Sequence, residues 1–155
     1  MERKCKENYY LDIAETVLER GTCLRRNYGA VIVKNDVIVS TGYAGAPRGR
    51  QNCSDLGECT RKKHNVAHGE RYELCRSVHA EANAIIAADR EQMLGSTLYL
   101  TSHDEHGKLV EDTAPCLMCR RLIINAGISR VIIRNTPERY TVVNVKKWVE
   151  NDDTL

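Results

Sequence analysis

The residues of this chain best suited to chemistry are His79 and Glu81, two positions apart in HAEANAI, and Cys116 and Cys119 in the later run PCLMC. On a helix, residues spaced i, i+3 share a face, so both sulfurs can point at one centre. A helix N-terminus carries a positive partial charge, which favours thiolate over thiol, and thiolate is the form that binds metal. One imidazole and two thiolates make three ligands. Zinc with three protein ligands keeps a fourth position for water and acidifies it to a pKa of about 7. Glu81 need not be a ligand and is assigned the proton transfers beside that water. A bare CxxC more often marks a zinc knuckle or a redox pair, and HxE alone says little. Their joint occurrence, with Pro115 before the first cysteine and a helix expected at each motif, points to a hydrolytic zinc site. The rival is a structural zinc or zinc-ribbon site that binds nucleic acid, which would want four fixed ligands and a more basic surface.

Elements to position these groups follow from the patterning. Leu11, Ile13, Ala14, Val17 and Leu18 form a helical stripe over Tyr9 to about Glu19, with Gly21 as its stop. Two β-branched runs between Ala30 and Tyr43, divided by Lys34, Asn35 and Asp36, predict an antiparallel hairpin. Val78 to Arg90 is apolar nearly all round and predicts a central, covered helix. Thr97 to Thr101 reads as a strand, Pro115 to Ala126 as a helix ended by Gly127, and Arg130 to Arg134 as a strand. Val142 to Val145 reads as a fifth strand and Lys146 to Asn151 as a short helix. Between them, Ala44 to Ser77 shows little periodicity and is long for a loop without a staple.

Composition narrows the function classes. A chain of 155 residues with 42% apolar content suits a single domain over 1–155. Its 23 basic and 21 acidic side chains give a formal charge of +2, which argues for a small substrate and against long nucleic acid. Without phenylalanine and with one tryptophan, an aromatic platform for single strands is not expected. No apolar run suits a membrane span or leader, so the expected setting is the cytoplasm with no membrane partner. Seven cysteines, an odd number without an export signal, read as metal ligands rather than disulfides.

Beyond HAEANAI and PCLMC, the runs CLRRNYGAVIV from Cys23, STGYAGAPRG from Ser40, LYLTS from Leu98 and INAGISRVII from Ile124 resemble deoxycytidylate (dCMP) deaminases of the cytidine deaminase superfamily. The resemblance covers most of Thr22 to Ile133. It implies an α/β fold, a three-layer α/β/α sandwich around a five-stranded mixed sheet. It also implies hydrolysis of dCMP to dUMP and ammonia, with one catalytic zinc on His79, Cys116 and Cys119 and Glu81 as the catalytic proton carrier. A homo-oligomer, commonly a hexamer, is implied too. Related outcomes are deamination of dCTP, of a modified dCMP or of another cytosine nucleotide, or a non-catalytic zinc-binding protein that keeps the deaminase fold. A riboflavin-type deaminase would bring a reductase domain for which there is no room, and a tRNA deaminase a more basic face.

Family members often carry a second, structural zinc. Cys23, Cys53 and Cys75 match positions associated with it, and Cys59, beside His64 and His68, is the candidate fourth ligand; buried free thiols are the alternative. The family's usual GYNG reads GYAG here, so Ala44 replaces an asparagine that contacts the substrate's sugar. Ala80, Arg48, Asn83 and Thr101 are assigned to substrate binding: Arg48 for its paired donors to phosphate, Asn83 either toward the site loop or toward backbone groups. Arg90 aligns with a family position linked to nucleotide regulation and subunit contact, or serves as a cation at a helix C-terminus. His103 and His106, in a polar segment, and Tyr140 and Trp148, near the C-terminus, are read as solvent-facing and core-packing residues.

Overall fold

A computed structural model describes residues 1–151. Its helices are α1 (Lys6–Leu18), α2 (Cys53–Leu56), α3 (Thr60–Lys63), α4 (Ala80–Ile86), α5 (Arg90–Met93), α6 (Leu117–Ala126) and α7 (Lys146–Glu150), with a 3₁₀ turn at Tyr72–Leu74. The hairpin forms as β1 (Arg26–Lys34) and β2 (Val37–Tyr43), and both Asn35 and Asp36 take positive φ at its tip, a conformation these two residue types tolerate in two-residue hairpin turns. β3 (Thr97–Asp104), β4 (Arg130–Arg134) and β5 (Tyr140–Asn144) complete a mixed sheet in the order β2-β1-β3-β4-β5. Only β3 and β4 pair in parallel, and the crossover that parallel pairing requires contains α6.

Strand alternation splits the core into two layers. Ala30, Ile32, Leu98, Leu100, Val131 and Ile133 face α4 and α6, while Val31, Val33, Tyr99 and Ile132 face α1. The result is the three-layer α/β/α arrangement with a five-stranded mixed sheet. Two glycines set how closely the outer layers approach. A Cβ on Gly29 would strike the Ala14 carbonyl of α1, and one on Gly42 would strike the Ala80 carbonyl and the Ala84 amide of α4. Ser40 on β2 donates to the Ala84 carbonyl at 2.7 Å, tying the same helix to the sheet. Since α4 begins at the HAEANAI motif, Gly42→Ala is expected to push it off the sheet. The expected loss of stability is about 3 kcal/mol, at the upper end for overpacking because backbone must move; chemical denaturation measures it.

Three expectations change in the structure. The single helix over Val78–Arg90 is two, because the backbone leaves the helix after Ala87 and Asp89 is extended at φ −74, ψ 142 before α5 begins. Ile86, inside the run expected to be covered nearly all round, is 72% exposed. The irregular Ala44–Ser77 stretch is stapled by polar side chains. The Asn52 carboxamide oxygen accepts from the Ala46 amide at 3.1 Å and the Thr22 hydroxyl at 3.0 Å, and Gly45 and Val78 form a two-way backbone bridge. Thr101 lies on the α1 face of β3, not the α4 face. Its hydroxyl donates to Glu15 of α1 at 2.7 Å, within a polar cluster where buried Arg134 pairs with Asp12 at 2.8 Å and Glu15 at 3.6 Å and His103 also meets Glu15. Burial works against ionising Asp12, yet the Lys4 and Arg134 cations hold its carboxyl below the ordinary range.

Candidate functional site

Two helix starts bring the chemical groups together. His79 is the residue before α4, with extended backbone at φ −66, ψ 151, and Glu81 sits in that helix's first turn. Cys116 holds the matching position before α6, where its sulfur accepts the Cys119 amide at 3.4 Å. The Nδ1 of His79 lies 3.5 Å from Cys116 Sγ and 3.5 Å from Cys119 Sγ. Zinc at 2.0–2.1 Å from nitrogen and 2.3 Å from sulfur in tetrahedral geometry would hold these atoms about 3.6 Å apart, so the donor set fits that ion. Among the described residues, these three form the one group of three or more His, Cys, Asp or Glu side chains whose ligand atoms all lie within 4.8 Å of one another.

The three groups shift one another's protonation through their mutual hydrogen bonds. Hydrogen bonding from Cys119 outweighs burial and, with His79, brings the Cys116 thiol down to about 4. Cys119 moves up, chiefly through its bond to Cys116 and its burial. His79 is pushed up to about 10 by the Cys116 and Cys75 sulfurs. Beside them Glu81 is 3% exposed, and burial raises its carboxyl above the usual range against the lowering effects of its own backbone amide and His79. A carboxyl raised in this way gives up its proton less readily than an exposed glutamate, which suits a group that must deliver one.

These groups open into a cavity of about 780 Å³ over the C-terminal end of β3, bordered by Asp104, Asp112 and Pro115. Arg25, Arg26, Arg76 and Arg120 also line it, and none of them forms a salt bridge among the described residues. Arg25 Nη1 and Arg76 Nε are buried without a hydrogen-bond partner. The sequence reading misses all four arginines. The available signals are the Arg25–Arg26 pair entering β1 and the position of Arg76 three residues before His79.

Other expected residues lie elsewhere. Arg48 sits exposed in the 47–50 turn and does not line the cavity, because the Arg50 amide closes that turn onto the Pro47 carbonyl at 2.9 Å. Ala80, the first residue of α4, is fully buried on that helix's core-facing side. Asn83 spends its amide on the Tyr43 carbonyl at 2.8 Å and the Val78 carbonyl at 3.4 Å, bracing the two segments that flank the site. Arg90 opens α5 and donates to the Asn125 carbonyl at 2.8 Å, so it supports the C-terminal turn of α6 rather than that of its own helix. Ala44 is 4% exposed and does line the cavity. Cys23, Cys53, Cys59 and Cys75 border the same cavity. Burial raises the Cys53 thiol, and the Cys23, Cys75 and Cys59 charges add to this against a bond with Ser77. His106 is exposed beside Glu105, Tyr140 packs in the α1 layer, and Trp148 packs in the other layer under Arg120.

A three-layer sandwich with a His/Cys/Cys cluster at two helix starts and a buried glutamate beside it defines the class of zinc-binding α/β deaminase folds. The chain belongs to the family described as the cytidine and deoxycytidylate deaminase zinc-binding region, whose model matches residues 4–135. Over 137 residues it is 37% identical to the deoxycytidylate deaminase of Mycobacterium phage D29, covering 85% of this chain and 96% of that one. The Schizosaccharomyces pombe deoxycytidylate deaminase is 32% identical over 126 residues, 81% of this chain but 36% of that longer protein. Among solved structures, the dCMP deaminase of cyanophage S-TIM5 in complex with dCMP and dUMP superposes with a TM-score of 0.59 at 26% identity, covering 86% of this chain and 85% of that chain.

Proposed function

We propose that this chain hydrolyses dCMP to dUMP and ammonia, supplying dUMP for thymidylate synthesis, with zinc held by His79, Cys116 and Cys119. The observation that carries the reading is the convergence of Nδ1 and two sulfurs beside buried Glu81 in one cavity. Zinc bound there supplies a water acidified to a pKa of about 7. Glu81, its carboxyl raised by burial, carries protons to the cytosine ring nitrogen and then to the departing ammonia. Guanidinium groups of Arg25, Arg26 and Arg76, free of carboxylate partners in the cavity wall, suit the 5′-phosphate. Arg48 is not needed for that role.

A second reading, deamination of dCTP, of a modified dCMP or of another cytosine nucleotide, draws on Ala44. Its methyl group stands in the cavity where the family's asparagine would bond the sugar, which loosens selection at that end. A panel of deoxycytidine, dCMP and dCTP decides the matter by kcat/KM. The expected order places dCMP first, and preference for the unphosphorylated nucleoside would overturn the choice.

A second, structural zinc on Cys23, Cys53, Cys59 and Cys75 draws support from their lining one cavity wall and from an Ala44–Ser77 stretch that otherwise folds around polar staples alone; no three of these sulfurs lie within 4.8 Å of one another, so the loop would close further around the ion. Metal analysis of purified protein is expected to give two zinc ions per chain, and one would remove this part. None of the seven cysteines is paired in a disulfide, which suits the reducing cytoplasm, and among the described residues no helix is long and apolar enough to cross a membrane. Leu122 at 40% exposure on α6 and Ile86 at 72% on α4 leave apolar side chains open to a second copy and support a homo-oligomer.

A further inference from the structure

Arg61 and Tyr72 form a stack against His79 in the wall of the same cavity, and the zinc ligand set does not explain it. Arg61 is 7% exposed, a burial that arginine rarely reaches without a paired carboxylate. Instead its Nε donates to the Glu70 carbonyl at 3.0 Å and an Nη to the Ala67 carbonyl at 3.2 Å, so the guanidinium is locked in place by the loop it closes. Its charged carbon lies 4.5 Å from the centre of the Tyr72 ring. That ring meets the His79 imidazole edge-to-face, with centroids 4.8 Å apart and planes at 90°. The 3₁₀ turn fixes the Tyr72 backbone, whose carbonyl accepts the Cys75 amide at 2.9 Å.

His79 needs such support. It precedes α4 with extended backbone, so no preceding helical turn restricts its side chain, and the imidazole's second torsion is intrinsically broad. Nδ1 must nevertheless stay aimed between two sulfurs. We propose that Tyr72, backed by Arg61, is a positioning residue that fixes the rotation of the His79 ring and thereby holds the metal. The inference rests on the assignment of zinc to His79, Cys116 and Cys119. Loss of an outer-shell contact of this kind typically costs 10- to 100-fold in metal affinity or activity.

The test uses the zinc-loaded full chain and follows zinc release to an excess of chromogenic chelator. The phase belonging to this site is the one absent from Cys116→Ser. Tyr72→Leu is expected to release that zinc roughly 10- to 100-fold faster, with kcat reduced and KM little changed, whereas Tyr72→Phe, which keeps the ring, restores both release rate and kcat to within about twofold of wild type. Arg61→Met, which leaves the ring but removes its backing, is expected to accelerate release too and carries the test should Tyr72→Leu not fold. Wild-type release rates in Tyr72→Leu or, where that variant does not fold, in Arg61→Met would overturn the proposal, as would a Tyr72→Phe variant as impaired as Tyr72→Leu. If wild-type protein shows no zinc phase that Cys116→Ser removes, the zinc assignment itself fails, and this inference with it.

Discussion

Glu81→Gln is expected to keep its zinc and lose between about 10²- and 10⁴-fold in kcat on dCMP, the range typical of a positioned acid–base group. The substitution is close to isosteric, and the side chain is 3% exposed within a packed wall, so neither the helix nor the cavity should change shape. What disappears is a titratable group. The wild-type carboxyl is raised by burial and can both take and give a proton, whereas an amide does neither. KM should shift by no more than a few-fold if Glu81 acts mainly on the reacting ring. Metal analysis and steady-state rates on the same preparation check both halves. Unchanged turnover with full zinc would remove Glu81 from the reaction.

Cys116→Ser is expected to empty this metal position and leave no measurable turnover. Cys116 is the thiol held down to about 4 by Cys119, with further lowering by His79, and it contributes one of the two sulfurs 3.5 Å from His79 Nδ1. A serine hydroxyl stays protonated at neutral pH and is a poor substitute for thiolate toward zinc. It can still accept the Cys119 amide at the head of α6, as serine commonly does there, so the helix should survive. Loss of metal with retained circular dichroism is therefore the expected pair of results, and retained zinc at this position would exclude Cys116 as a ligand.

The sequence makes the reactive cluster legible because local rules fix it. HAEANAI and PCLMC each contain a helix start, so local sequence carries His79 and Cys116 to the residue before α4 and α6; the sheet between them brings the two starts together. Strand order is legible to the extent that alternation and turn residues such as Asn35 and Asp36 declare it. What sequence cannot supply is the face a residue takes once the sheet forms. Thr101 and Leu100 are neighbours in one motif, yet one meets Glu15 under α1 and the other packs under α4. Arg48 has the right chemistry and lies in a conspicuous turn, but that turn points to solvent, while Arg25 and Arg76 reach the cavity from segments joined by the sheet and the Gly45–Val78 bridge. The break at Ala87–Asp89 is hidden because Ala-rich sequence suits an uninterrupted helix equally well. Arg61 is hidden for the opposite reason. A charged residue in a polar stretch ordinarily reads as solvent-exposed, and its burial depends on Ala67, Glu70 and Tyr72 closing over it.

Release of ammonia and dUMP from dCMP by the purified chain, before and after zinc is stripped and then restored, tests the central claim most directly. The account predicts equimolar dUMP and ammonia from the zinc-loaded protein, no reaction from the stripped protein, and recovery on adding zinc back. Zinc-loaded, folded protein that leaves dCMP intact would contradict it.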